Sequence, residues 1–131
     1  MAGNKSIRTP LGHARGLGSA REGSHHWWMQ RVSAVALVPL TIFAWSSLPF
    51  IMETNHADFI AWLGSPTVAI SAILFVLTSF YHAALGIQVI IEDYVTAEGL
   101  KLALVMLNNF AFIAMGAACL FSIVYITLHG H

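Results

Sequence analysis

Three stretches of this chain contain no Asp, Glu, Lys or Arg at all: 32–52, 59–91 and 102–128. A helix crossing ~30 Å of hydrocarbon needs about 20 residues at 1.5 Å of rise each, so every stretch is long enough to span a bilayer. The second is longer than a crossing requires. Gly64-Ser65-Pro66 marks where its helix begins, because Ser and Pro suit a helix's first turn. The predicted spans are therefore 31–52, 66–91 and 102–128. Of the 131 residues 57% are hydrophobic and 9% charged, whereas a soluble domain carries about a quarter charged residues. Too little polar material remains for a water-facing domain. The expected fold is all-α, a membrane protein of three transmembrane helices forming one domain over 25–131 behind a flexible basic tail, 1–24.

The charges orient the chain. Lys5, Arg8, Arg15, Arg21 and Arg31 precede or open the first span. The first loop carries Glu53 and Asp58 without Lys or Arg; the second boundary carries Glu92, Asp93, Glu98 and Lys101. Positive residues stay inside, so the N-terminus is expected in the cytoplasm, the second loop also inside and the C-terminus in the periplasm. Trp27, Trp28, Trp45 and Trp62 lie near the expected interfaces. Cys119 is the single cysteine, which excludes a disulfide framework or a thiolate metal cage within the chain.

His82 is the residue with chemical content. It falls near the middle of the second span, where an imidazole is costly in lipid and must face protein, a ligand or water. Two uses fit: one interhelical hydrogen bond, or axial ligation of haem iron by neutral imidazole. At ~100° per residue, His82, Gly86, Val89 and Asp93 share one helical stripe. Gly86, one turn from His82, leaves room for a flat macrocycle or for a neighbouring helix. The chain offers one good mid-membrane His, so a six-coordinate haem needs its second ligand from another subunit. Asp93-Tyr94 closes the span at the inner interface, where a phenol can hydrogen-bond a quinone carbonyl and a carboxylate can relay protons, or both can simply meet water and headgroups. Arg31 can snorkel to lipid phosphate or pair with an anionic ligand such as a haem propionate, with His25 or His26 in the same patch. Asn108, Asn109 and Gly116-Ala117-Ala118 in the third span read as helix-packing residues. Pro39 and Pro49 read as a kink or an outer end of the first span.

Two segments carry a family resemblance: Gln30-Arg31-Val32-Ser33-Ala34 at the first span, and His82-Ala83-Ala84-Leu85-Gly86 through Asp93-Tyr94-Val95 in the second. On these and its three-span layout the chain resembles the smaller hydrophobic anchor subunits of succinate dehydrogenase, respiratory complex II, with alphaproteobacterial members most alike. The resemblance implies that His82 is the axial iron ligand of haem b, shared with a companion cytochrome b anchor. It implies that Arg31 and His25, or equally His26, meet the haem propionates. It further implies that Tyr94 and Asp93 belong to a ubiquinone-reducing site against which the iron-sulfur and flavoprotein subunits dock. FAD and iron-sulfur clusters would lie in those partners, and the location would be a bacterial inner membrane rather than a mitochondrial one. The chain would be a subunit of the quinone-reducing enzyme complex, non-catalytic by itself. The rivals are a fumarate reductase anchor, a non-catalytic scaffold of a respiratory complex, and a transporter subunit using His82 as a proton relay.

Overall fold

The structure, a computed structural model, describes residues 20–130, with side chains from Ser24 onward. Four helices follow one another: α1 Ala20–Glu53, α2 His56–Gly64, α3 Pro66–Tyr94 and α4 Glu98–His129. Three are long and apolar enough to cross a membrane, within Ser24–Glu53, Pro66–Tyr94 and Glu98–His129. No strand occurs among the described residues. The all-helical, three-span expectation therefore holds. Of the predicted tail, residues 1–19 lie outside the described residues, while α1 already begins at Ala20.

Local chemistry explains where the helices run and stop. α1 continues through both Pro39 and Pro49 to Glu53, so neither proline ends it. Hydroxyls within the spans fold back on their own helices: Ser46 and Ser47 donate to the Phe43 carbonyl, Ser71 to Thr67 and Ser122 to Ala118. Such bonds satisfy a hydroxyl where hydrocarbon offers no partner. The segment read as an outer loop is partly helical. Asn55 caps α2 by accepting from the Asp58 N–H at 2.9 Å, and its amide donates to the Asp58 carboxylate at 2.7 Å. That reciprocal pair is a variant of the capping box. Phe50 and Trp62, ring centroids 5.4 Å apart, tie α2 back to the end of α1. Pro66 then opens α3, as its fixed φ and missing N–H favour. A three-residue link, 95–97, turns α3 into α4.

α3 is the central element: it packs against α1 on one flank and α4 on the other, while α1 and α4 share no substantial interface. Val68 and Ala69 are the buried apolar residues, accompanied by buried Ser33 and Asn108. Even the most apolar windows of the three spans are only 6, 17 and 11% buried within the chain. Lipid tails are as apolar as Leu, so helices in a membrane join through close packing and hydrogen bonds. The α3–α4 seam follows that rule. Asn108 donates to the Ala84 carbonyl at 3.0 Å, Phe80 meets Phe112 edge-on at 5.8 Å, and Gly116 admits the Phe80 ring. Asn108 and Gly116 thus have the packing roles expected of them; Asn109 is exposed instead.

Candidate functional site

The α1–α3 seam holds the groups with chemical potential. At ~100° per residue, His26, Gln30 and Ser33 fall within about 60° of one another on α1. That stripe faces α3. Ser33, 6% exposed, lies with its Oγ 3.0 Å from His82 Nδ1 and 3.0 Å from the Gln30 carbonyl oxygen. A carbonyl can only accept, so the hydroxyl can donate to Gln30 and accept from His82 when the ring carries its proton on Nδ1. A neutral imidazole protonated at Nδ1 keeps an unshared pair at Nε2. This half-buried ring has no other side-chain hydrogen bond to a described residue. The donor chemistry fits one axial position of a haem iron, for which neutral imidazole is a common ligand.

Gln30 also occupies the space beside Gly86. A Cβ placed on Gly86 would come 3.6 Å from Gln30 Nε2, an ordinary van der Waals distance. Within this chain the glycine one turn below His82 lies against Gln30 across the helix seam. Two atoms here lack partners: His26 Nε2 and Gln30 Oε1 are buried without a hydrogen bond. Unpaired buried groups cost about 1–3 kcal/mol each, and call for a water, ligand or partner group.

The remaining expected site residues are placed apart. Arg31 is exposed, roughly 160° around α1 from Ser33, with its guanidinium 5.2 Å from the Trp27 ring centroid. His25 is exposed too, about 80° from Ser33 in the other direction. Within this chain, Arg31, His25 and His82 do not converge. Of the two adjacent histidines, His26 is the one sharing the face of Ser33. Asp93 and Tyr94 end α3 side by side, both exposed, Tyr94 to 83%. Neither side chain hydrogen-bonds another described residue, whereas neighbouring Glu92 accepts from Gln88 at 2.7 Å. No set of three or more His, Cys, Asp or Glu able to hold a metal ion occurs among the described residues.

Sequence reasoning had assigned no role to Ser33 or to the side chain of Gln30. The available signal was their spacing with His26, i, i+4 and i+7, which draws a polar line along an apolar helix. On the opposite flank of α3, Leu77, Phe80, Tyr81, Asn109, Phe112 and Leu120 line an apolar groove of about 500 Å³.

Comparison with known proteins decides the family. Residues 5–127 match the model of the succinate dehydrogenase/fumarate reductase transmembrane subunit. The chain belongs to this family. Among curated relatives, a succinate dehydrogenase hydrophobic membrane anchor subunit of Rickettsia bellii is 38% identical over 103 residues, covering 76% of this chain and 80% of the relative. The protein of the same description from Paracoccus denitrificans is 34% identical over 110 residues, 84% and 85% of the two chains. No solved structure matches the chain. Family membership and the three apolar helices together make it a multi-pass membrane protein.

Proposed function

We propose that this chain is the hydrophobic membrane anchor of a succinate dehydrogenase, helping to bind haem b and to form the site of ubiquinone reduction. The observation that carries the haem part is the His82–Ser33 contact, which engages Nδ1 and leaves Nε2 of a mid-span imidazole without a hydrogen bond to a described residue. The succinate dehydrogenase part rests on the relatives, described as anchors of that enzyme. His82 would hold haem b through its imidazole, together with a residue of a companion cytochrome b anchor. Haem b, when bound, provides a one-electron redox group inside the membrane. Arg31 and one of His25 and His26 would meet the haem propionates at the inner end of α1.

Ubiquinone is the substrate of the complex, and its site is shared. Tyr94 donates its phenolic hydrogen to a quinone carbonyl, and the Asp93 carboxylate beside it orients or passes a proton. Exposure of both at the end of α3, without side-chain hydrogen bonds to other described residues, supports that use. Reduction takes two electrons and two protons, so a position at the water–lipid boundary suits both supplies. Electrons come from the flavoprotein through the iron-sulfur subunit, docked on the inner ends of α1, α3 and α4. The membrane is a bacterial inner membrane, with the N-terminus cytoplasmic and the C-terminus periplasmic.

The family description covers fumarate reductases as well, which keeps a fumarate reductase anchor as the second reading. Purification in mild detergent through a tag on this chain, with a reduced-minus-oxidised spectrum, tests the proposal. A b-type band that disappears in His82→Ala, with succinate-reactive flavoprotein and iron-sulfur subunits co-purifying, is the expected result. An unchanged band in His82→Ala removes the ligand assignment. Absence of both haem and partner subunits removes the anchor reading.

A further inference from the structure

Within Gln30-Arg31-Val32-Ser33, the side chain that reaches His82 is not the charged one. Resting on the haem reading above, we propose that Ser33 is a positioning residue for the iron ligand, fixing the tautomer and ring orientation of His82 from a neighbouring helix. Three observations carry it. The Ser33 hydroxyl is buried and held at both ends, 3.0 Å from the Gln30 carbonyl and 3.0 Å from His82 Nδ1. With Nε2 given to iron, a neutral imidazole carries its proton on Nδ1, so the Ser33 oxygen accepts there and its own proton is left for Gln30. His82 has no competing side-chain hydrogen bond to a described residue.

An imidazole is free to turn about a broad, nearly two-fold χ2. Two ring nitrogens then compete to face a ligand. An acceptor at Nδ1 removes the ambiguity, because only the Nδ1–H tautomer satisfies it, and Nε2 is left as the donor to metal. The same bond pulls electron density toward Nε2 and raises its basicity, as second-shell acceptors do for metal-bound histidines. A more basic ligand favours the oxidised iron. Ser33 therefore lowers the potential of the haem as well as aiming its ligand.

The test is a redox titration of the haem in the purified complex, with Ser33 changed three ways. Ser33→Ala removes the acceptor, Ser33→Cys keeps the size with a weak acceptor, and Ser33→Thr keeps the oxygen. Expected is an upward shift of the midpoint potential in Ala and Cys, an altered low-spin EPR signal in both, and parent values in Thr. Unchanged potential and EPR signal in Ala and Cys overturn the proposal. An equal shift in Thr and Ala also overturns it, because packing rather than the hydroxyl would then be responsible. Should Ser33→Ala fail to assemble, the near-isosteric Cys variant gives the same decision. Failure of the haem reading shows separately, as a parent complex without haem or with a spectrum indifferent to His82→Ala.

Discussion

Gly86 offers the sharpest perturbation of the α1–α3 seam. A methyl group there meets Gln30 Nε2 at 3.6 Å, so Gly86→Ala needs no rearrangement of this chain. Ala is also the better helix former, by about 1 kcal/mol in a helix interior. Gly86→Ala is therefore expected to be neutral or stabilising by up to about 1 kcal/mol. Gly86→Leu differs in kind, because its extra carbons must enter space that Gln30 already fills. Overpacking of that sort costs about 1–3 kcal/mol. It also parts α1 from α3 one turn from the 3.0 Å Ser33–His82 contact. The assay is thermal unfolding of the purified complex, followed by both the haem spectrum and the release of subunits. Leu should lower the midpoint and broaden the haem bands, while Ala should do neither. If Ala proves as harmful as Leu, something outside this chain occupies the space beside Gly86, and its assignment to the helix seam is wrong.

Other expectations follow from separate contacts. Asn108→Leu deletes the interhelical bond to Ala84 and should destabilise the complex by about 0.6 kcal/mol, at most ~1.7; detergent denaturation that detects no loss would remove that bond from the α3–α4 seam. Asn55→Ala removes the α2 cap, worth about 1 kcal/mol, and should speed amide exchange in the first turn of α2 while leaving quinone reduction at the inner end unchanged. Tyr94→Phe should slow ubiquinone reduction about tenfold, the equivalent of one hydrogen bond of ~1.4 kcal/mol, with the haem spectrum and subunit composition unaltered. Parent-rate reduction by that variant would take Tyr94 out of the quinone site.

The three spans were legible because hydrocarbon imposes a length and a ban on charge, and both are visible in one dimension. Asn55 and Asp58 at a capping spacing gave a local cue to α2, but it was hidden in a segment judged by its charges. The site divides along the same line. His82 announces itself, since a lone imidazole at mid-span is conspicuous against Leu, Ile and Phe. Ser33 does not, because a small hydroxyl in a membrane helix usually bonds its own helix, and Ser33 does that as well. Its second contact depends on which face of α1 meets which turn of α3, information held only in the packing. Arg31 and His25, both exposed, stand about 120° apart around α1.

The open arrangement of α1, α3 and α4 has a thermodynamic consequence. With α3 packed chiefly between α1 and α4, and most of each span's most apolar window left unburied by the chain itself, few native contacts are internal. Its unfolding free energy is therefore not a constant of the sequence but a function of what surrounds it. Whatever binds the folded form alone shifts the balance by mass action. Lipid type, detergent and the concentration of companion subunits enter the same equation as any mutation. A variant ranked stable in one detergent can rank unstable in another without a single internal contact having changed.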